Sequence, residues 1–247
     1  MFDLTSIREW YQTDSGELIS QAIEQHIWRI TSYIFGYNAI QLGDPFVNRQ
    51  LLKHCTIPTQ ACIDRHPRAN IIGSPAVLPI CSDSIDLFVL PHTLDFTTKP
   101  HEILREVERC LVPEGHVVIA GFNPYSFYGL WRLMLSRKKI APWNAKFYSV
   151  GRVRDWSSLL GFEEIELRYI AHLPPFKRIQ AWKKMQSLGR LLEYRLSATG
   201  GVYIFVARKR VARLTPLERA WPTATNQILT GKLHKPTVGL QENVKSR

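Results

Sequence analysis

Apolar residues recur along the chain with two different periods. From Ser15 to Phe35 they fall at Leu18, Ile19, Ala22, Ile23, Ile27, Ile30 and Ile34, with Glu17, Gln21, Glu24 and Arg29 between them. That spacing predicts a helix over 15–35, started by Ser15 as its N-cap. Residues 38–45 read as a short apolar strand ending in the turn Gly43-Asp44-Pro45. A helix is predicted over 46–55, a second strand over 59–64 (TQACID) and a third short segment over 70–75 (NIIGSP). The run DSIDLFVLP (83–91) is almost continuously apolar, the pattern of a strand buried on both faces. The next helix spans 99–111, with apolar positions at Ile103, Leu104, Val107 and Leu111. It is expected to stop at Pro113-Glu114-Gly115 and lead into the strand HVVIAGF (116–122). Residues 150–170 read as a helix closed by Gly161 and then a strand, and 200–210 as a last strand. Two stretches, 124–147 and 172–199, are aromatic and basic with no strong period.

Strands that alternate with helices imply a doubly wound, mostly parallel α/β sheet. In such sheets ligands lie beyond the carboxyl ends of the strands, around the switch in strand order. The chemistry is therefore expected at Gly43-Asp44, Asp64, Ser74-Pro75, Pro91–Asp95 and Phe122–Tyr125.

Composition narrows the class. Of 247 residues, 45% are hydrophobic and 21% charged, which suits a globular chain. The best apolar run, IDLFVL (85–90), is strand-sized, well short of the roughly 18 residues of a membrane span. The opening MFDLTSIREWYQTD has acids and no apolar centre, so it does not read as a signal peptide. Cys55, Cys62, Cys81 and Cys110 form no CxxC pair and read as reduced thiols, which points to the cytoplasm. The six histidines weighed as ligands (His26, His54, His66, His101, His116 and His172) show no metal-ligand spacing, so no metal is assigned. The net charge is +11, but nine Lys/Arg against two acids from Arg208 onward account for +7 of it. Residues 1–210 are thus expected to form the domain, with 124–147 and 172–199 as helical insertions. The stretch 211–247 is expected to be a disordered basic tail and a candidate contact for a polyanion.

The run 82–122 carries more than periodicity. SIDLFVL (84–90), the helix HEILREVERCL (101–111), the turn LVPEG (111–115) and the strand after it resemble the core of class I S-adenosylmethionine-dependent methyltransferases, type 11 group. SPAVLPI (74–80) is similar to that family's adenine-contacting segment, an acid followed three residues later by Leu-Pro-Phe. The resemblance covers about residues 38–208. It implies a Rossmann-like, seven-stranded, mostly parallel sheet closed by an antiparallel hairpin of 163–170 with 201–208. It also implies S-adenosyl-L-methionine as cofactor.

The family's roles fall on particular residues here. Its first strand ends in an acid and Gly-x-Gly-x-Gly; here the segment is Gln41-Leu42-Gly43-Asp44-Pro45-Phe46-Val47, with one of the three glycines kept. Gln41, Gly43 and Asp44 take the place of that loop. Asp64, 21 positions after Gly43 behind a strand, matches the acid that accepts both ribose hydroxyls. Ser74 and Pro75 stand where adenine is received, and Pro91 where the fourth strand opens onto the cofactor. His92 is the candidate base, with Asp95 second, for an acceptor that starts protonated. Asn123 and Tyr125 are candidate lining of the acceptor pocket. The methyl acceptor itself is not legible. Two other readings share the fold: a pseudoenzyme that binds a partner, favoured by the altered glycine loop, and an RNA-binding protein or RNA methyltransferase using the basic segments.

Overall fold

The structure is a computed structural model that describes residues 4–46, 49–135, 141–172 and 197–210. The expectations for 211–247, and for most of the insertion 172–199, lie outside the described residues. Seven strands form one sheet: β1 (Asn38–Leu42), β2 (Thr59–Asp64), β3 (Ile71–Ile72), β4 (Ile85–Pro91), β5 (Leu111–Phe122), β6 (Phe162–Ile170) and β7 (Val202–Lys209). Their order is β3-β2-β1-β4-β5-β7-β6. The pairs β1–β2, β1–β4, β2–β3 and β4–β5 are parallel. β7 runs antiparallel between β5 and β6, which is the closing hairpin anticipated above.

Helices cover both faces, because the central strands are apolar on both. On one side α1 (Thr5–Tyr11) and α2 (Asp14–Thr31) bury Ile7, Tyr11, Ile19, Ile23 and Ile27 against Ala39, Leu87, Val89, Val118 and Ile204. On the other, α3 (Pro100–Cys110) and α5 (Val150–Leu159) bury Ile103, Leu104, Val107 and Val153 against Ile40, Phe88, Leu90, Ile119 and Phe205. Full burial of such side chains contributes about 1.5–3 kcal/mol each, the main favourable contribution to the fold.

Local expectations were revised at four places. The cap of α2 is Thr13, whose hydroxyl accepts from Gly16 N at 3.2 Å; Ser15 lies inside the helix and is buried. That helix ends at Thr31, and the turn after it carries Ile34 back to the core. No helix forms at 49–55. Lys53 N and Cys55 N bond three residues back, Leu51 and Leu52 turn inward, and Arg49 is drawn to Glu17 and Glu24 of α2. With no helix after β1 or β2 among the described residues, the α2 side of those strands opens onto a cavity of about 840 Å³. Trp28, Gln41, Arg49, Gln60, Cys62 and Asn70 are among its walls. Finally, α3 passes straight into β5 at Leu111. The Pro113-Glu114-Gly115 stop is instead a bulge inside the strand, with Glu114 at φ 64°.

One helix was not anticipated, α1 in the opening stretch; α4 (Phe127–Leu135) lies in the insertion 124–147, which was expected to be helical without assigned bounds. The periodicity of α4 is masked because its apolar side chains are not all core, with Leu133 78% and Met134 72% exposed.

Gly121 on β5 lies opposite Tyr203 on β7, and a Cβ there would overlap the buried Tyr203 ring and hydroxyl. Gly121→Ala is therefore expected to cost about 1–3 kcal/mol by overpacking, read as a lower urea midpoint with unchanged slope.

Candidate functional site

The carboxyl ends of β1, β2, β4 and β5 meet beneath α1. At the end of β1, Gly43 takes φ +82°, and its N–H donates to Ile63 O on β2 at 2.8 Å. A glycine adopts that conformation without steric cost. The Gln41 side-chain amide folds onto Gly43 O at 3.0 Å. Asp44 N–H then donates to Asp64 Oδ2 at 2.9 Å, so the turn after β1 is fastened to the carboxylate that ends β2.

Asp64 is buried and fully engaged. Oδ1 accepts from the backbone N–H of Arg65 at 2.6 Å and of His66 at 3.4 Å. Oδ2, besides Asp44 N–H, ion-pairs with Arg8 of α1, whose Nε also donates to Asp44 O at 2.7 Å. A carboxylate offers about four acceptor directions, and all are used. Burial pushes the neighbouring Asp44 carboxyl up to about 6, with Asp64 adding repulsion and Phe46 N–H and Arg8 opposing it. Burial and the same two acids push the Cys62 thiol up to about 12, which disfavours its thiolate. Ser74 sits at the edge, one residue after Gly73, whose N–H bonds Asp64 O at 3.0 Å; Pro75 is buried beside it.

The second half of the site lies at the end of β4, after the buried Pro91. His92 has φ +55°, a sparsely populated conformation for a side-chain-bearing residue. It is pinned by His92 N–H to Ala120 O at 2.8 Å and by stacking of its ring on Phe122 with centroids 4.1 Å apart. Its Nδ1 lies 2.9 Å from Asp95 Oδ2, which also accepts from Phe122 N–H at 2.9 Å. Those contacts make Nδ1 the protonated nitrogen and leave Nε2 a lone pair. Tyr11 Oη donates to it at 2.6 Å. Burial pushes the Asp95 carboxyl up, and His92 opposes this; Asp95 Oδ1 has no hydrogen-bond partner. Histidine and aspartate are both buried.

The sequence-derived residues thus assemble as two clusters, Gln41–Gly43–Asp44–Asp64–Ser74 and His92–Asp95. Asn123 is adjacent but committed to main-chain partners. Its Nδ2 donates to Ala198 O and Gly200 O, each at 2.9 Å, and its Oδ1 accepts from Tyr125 N–H at 3.0 Å. The Tyr125 ring is 77% exposed, away from the buried clusters. Sequence reasoning missed Arg8 and Tyr11, the residues that link α1 to both clusters. The signal was present: Leu4, Ile7 and Tyr11 mark an apolar helical face.

Comparison with known proteins agrees with this architecture. Residues 52–119 match a methyltransferase domain family, type 11. The chain is 31% identical over 207 residues to the uncharacterised protein YafS of Escherichia coli K12, covering 83% of this chain and 82% of that protein. It is 28% identical over 120 residues to the malonyl-[acyl-carrier protein] O-methyltransferase of Dechloromonas aromatica, which is 46% of this chain and 44% of that enzyme. A S-adenosylmethionine-dependent methyltransferase from Archaeoglobus fulgidus superposes with TM-score 0.53 at 15% identity, over 76% of this chain and 94% of that one. The [4+2]-cyclase SpnF shares the fold as well, with TM-score 0.51 at 12% identity over 77% and 80%. The chain belongs to the class I S-adenosylmethionine-dependent methyltransferases, type 11 group.

Two outcomes test the site's electrostatics and its frame. Because the folded Asp44 pKa lies above its ordinary value near 4, the folded state keeps a proton that the unfolded chain loses between about pH 4 and 6. Stability therefore falls as pH rises through that window. Asp44→Asn should match the parent near pH 3.5 and exceed it at pH 7.5 by up to about 3 kcal/mol, at about 1.4 kcal/mol per pKa unit, in paired urea titrations. Asn123→Ala, which strands the buried carbonyl of Gly200 and frees that of Ala198, should lose about 1–3 kcal/mol in the same measurement.

Proposed function

We propose that this chain binds S-adenosyl-L-methionine across the carboxyl ends of β1, β2 and β4 and transfers its methyl group to an acceptor held near His92. The observation that carries the reading is the buried Asp64 carboxylate at the end of β2, tied to the turn at Gly43. A carboxylate there accepts a vicinal diol as a pair of hydrogen bonds. Gly43 would let the backbone approach the amino-acid part of the ligand, with Gln41 and Asp44 beside it, while Ser74 and Pro75 would receive the adenine and Pro91 would stand where β4 opens onto the cofactor. Bound there, the cofactor supplies an electrophilic sulfonium methyl. The chain's part is to align an acceptor and to take its proton. His92 Nε2 holds the lone pair for that proton, and Asp95 fixes the tautomer and stabilises the imidazolium. Asn123 frames the acceptor side by holding the loop after β5 to the segment before β7.

One observation favours a second reading, a methyltransferase-fold protein that binds a partner and no nucleoside. In this structure Arg8 already satisfies Asp64. Calorimetric titration with S-adenosylmethionine and S-adenosylhomocysteine separates the two. Heat that fits one site, with a raised melting temperature, supports the enzyme; neither at millimolar ligand supports the partner-binding protein. In the first case Asp64→Ala should weaken binding about 10- to 150-fold, the range of 1.5–3 kcal/mol for hydrogen bonds to a charged group. Unchanged affinity would place the ribose elsewhere.

A further inference from the structure

α1 points two polar side chains into the two halves of the site. Arg8 meets the Asp64 carboxylate and the Asp44 carbonyl, and three residues on, Tyr11 meets His92 Nε2 at 2.6 Å. Residues three apart share one helix face, so one short helix closes both clusters at once. Each contact imitates a ligand. Arg8 gives Asp64 Oδ2 one guanidinium N–H where a ribose hydroxyl would give an O–H, while its Nε is spent on Asp44 O. The Tyr11 phenol donates to the free imidazole nitrogen as an acidic acceptor hydroxyl would.

Neither position can be shared. Asp64 has no acceptor direction left while Arg8, Asp44 N–H, Arg65 N–H and His66 N–H face it. His92 Nε2 has a single lone pair, and Tyr11 uses it. The Tyr11 ring packs on Phe46 with centroids 4.6 Å apart, and His92 stacks on Phe122, which lies 4.9 Å from Phe147. Withdrawal of Tyr11 would leave a pocket walled by aromatic rings with one hydrogen-bond acceptor at its base. α1 has only seven residues and no side-chain N-cap, so little of its own structure holds it in place.

Resting on the cofactor reading above, we propose that α1 is an internal stand-in for both ligands. Arg8 occupies the ribose position and Tyr11 that of an aryl-hydroxyl acceptor, and nucleoside binding expels the helix and opens the acceptor pocket. In the transfer this implies, the aryl hydroxyl gives its proton to His92 Nε2 and forms the new O–CH3 bond. The methyl–sulfur bond breaks with its electron pair returning to sulfur, which leaves a neutral thioether.

The test is calorimetry with S-adenosylhomocysteine on the full chain and on Arg8→Gln, joined to amide hydrogen exchange of residues 4–12. Removing the internal competitor should tighten binding at least fivefold, and ligand should strip protection from 4–12 in the parent. Equal or weaker binding by Arg8→Gln, or added protection of 4–12, would make α1 a lid that grips the ligand and overturn the proposal. Binding by neither folded protein would sink the cofactor reading as well, so the two failures are distinct. The acceptor class is read with p-cresol and p-xylene, which differ only in the hydroxyl. Tyr11→Ala, or the parent saturated with S-adenosylhomocysteine if that variant does not fold, should bind p-cresol at least tenfold more tightly. Equal affinities would show an apolar cavity without selectivity for a hydroxyl.

Discussion

The Asp64 carboxylate is the point on which this site is assembled. A buried carboxylate is stable only when its oxygens are hydrogen-bonded, and here the donors come from three separate parts of the chain. The turn after β1 supplies Asp44 N–H, the turn after β2 supplies Arg65 N–H and His66 N–H, and α1 supplies Arg8. That demand shapes the loop after β1 even though two of the family's three glycines are absent. With Gly43 in the left-handed region and Gln41 folded over it, one glycine makes the turn. Burial in the same corner raises the Asp44 pKa, and repulsion from Asp64 adds to it while Arg8 opposes it.

A second constraint holds the end of β4. His92 sits in a backbone conformation that costs on the order of 1–3 kcal/mol, and such strain persists only when its surroundings over-determine it. The surroundings here are Ala120 O, the Phe122 ring and Asp95, all supplied or anchored by β5. The parallel register of β4 on β5, with Pro91 opposite Ala120, therefore sets the position of the imidazole. Asn123 extends the same frame one residue further, fastening the loop after β5 to the turn before β7.

The corner formed by β1 and β2 follows a different logic. The connection after β2 is short, and where a helix was expected after β1 the described residues 49–55 turn two leucines inward and pair Arg49 with α2. The face left open there is polar, with Gln41, Gln60 and Cys62 on the strands, so it tolerates water where a fully apolar sheet face would not. No helix of the described residues is long and apolar enough to cross a membrane.

The periodic parts of the chain were legible from the sequence alone. The bounds of β2, the helix at 100–110, the apolar β4 and the final hairpin follow from local alternation and from turn residues such as Gly161, because burial on one face or two leaves a period in the chain. The residues at the strand ends were also legible, since topology puts them together once the strand order is known. What only the tertiary structure decided is which of them are free. Asn123 is tied to main chain, Asp64 is matched by Arg8 and His92 by Tyr11, across separations of 56 and 81 residues. The absence of a helix over 49–55 and the α3–β5 bulge belong to the same class. Each is settled by a long-range ion pair, a register or a buried side chain, and these leave no period in the local pattern.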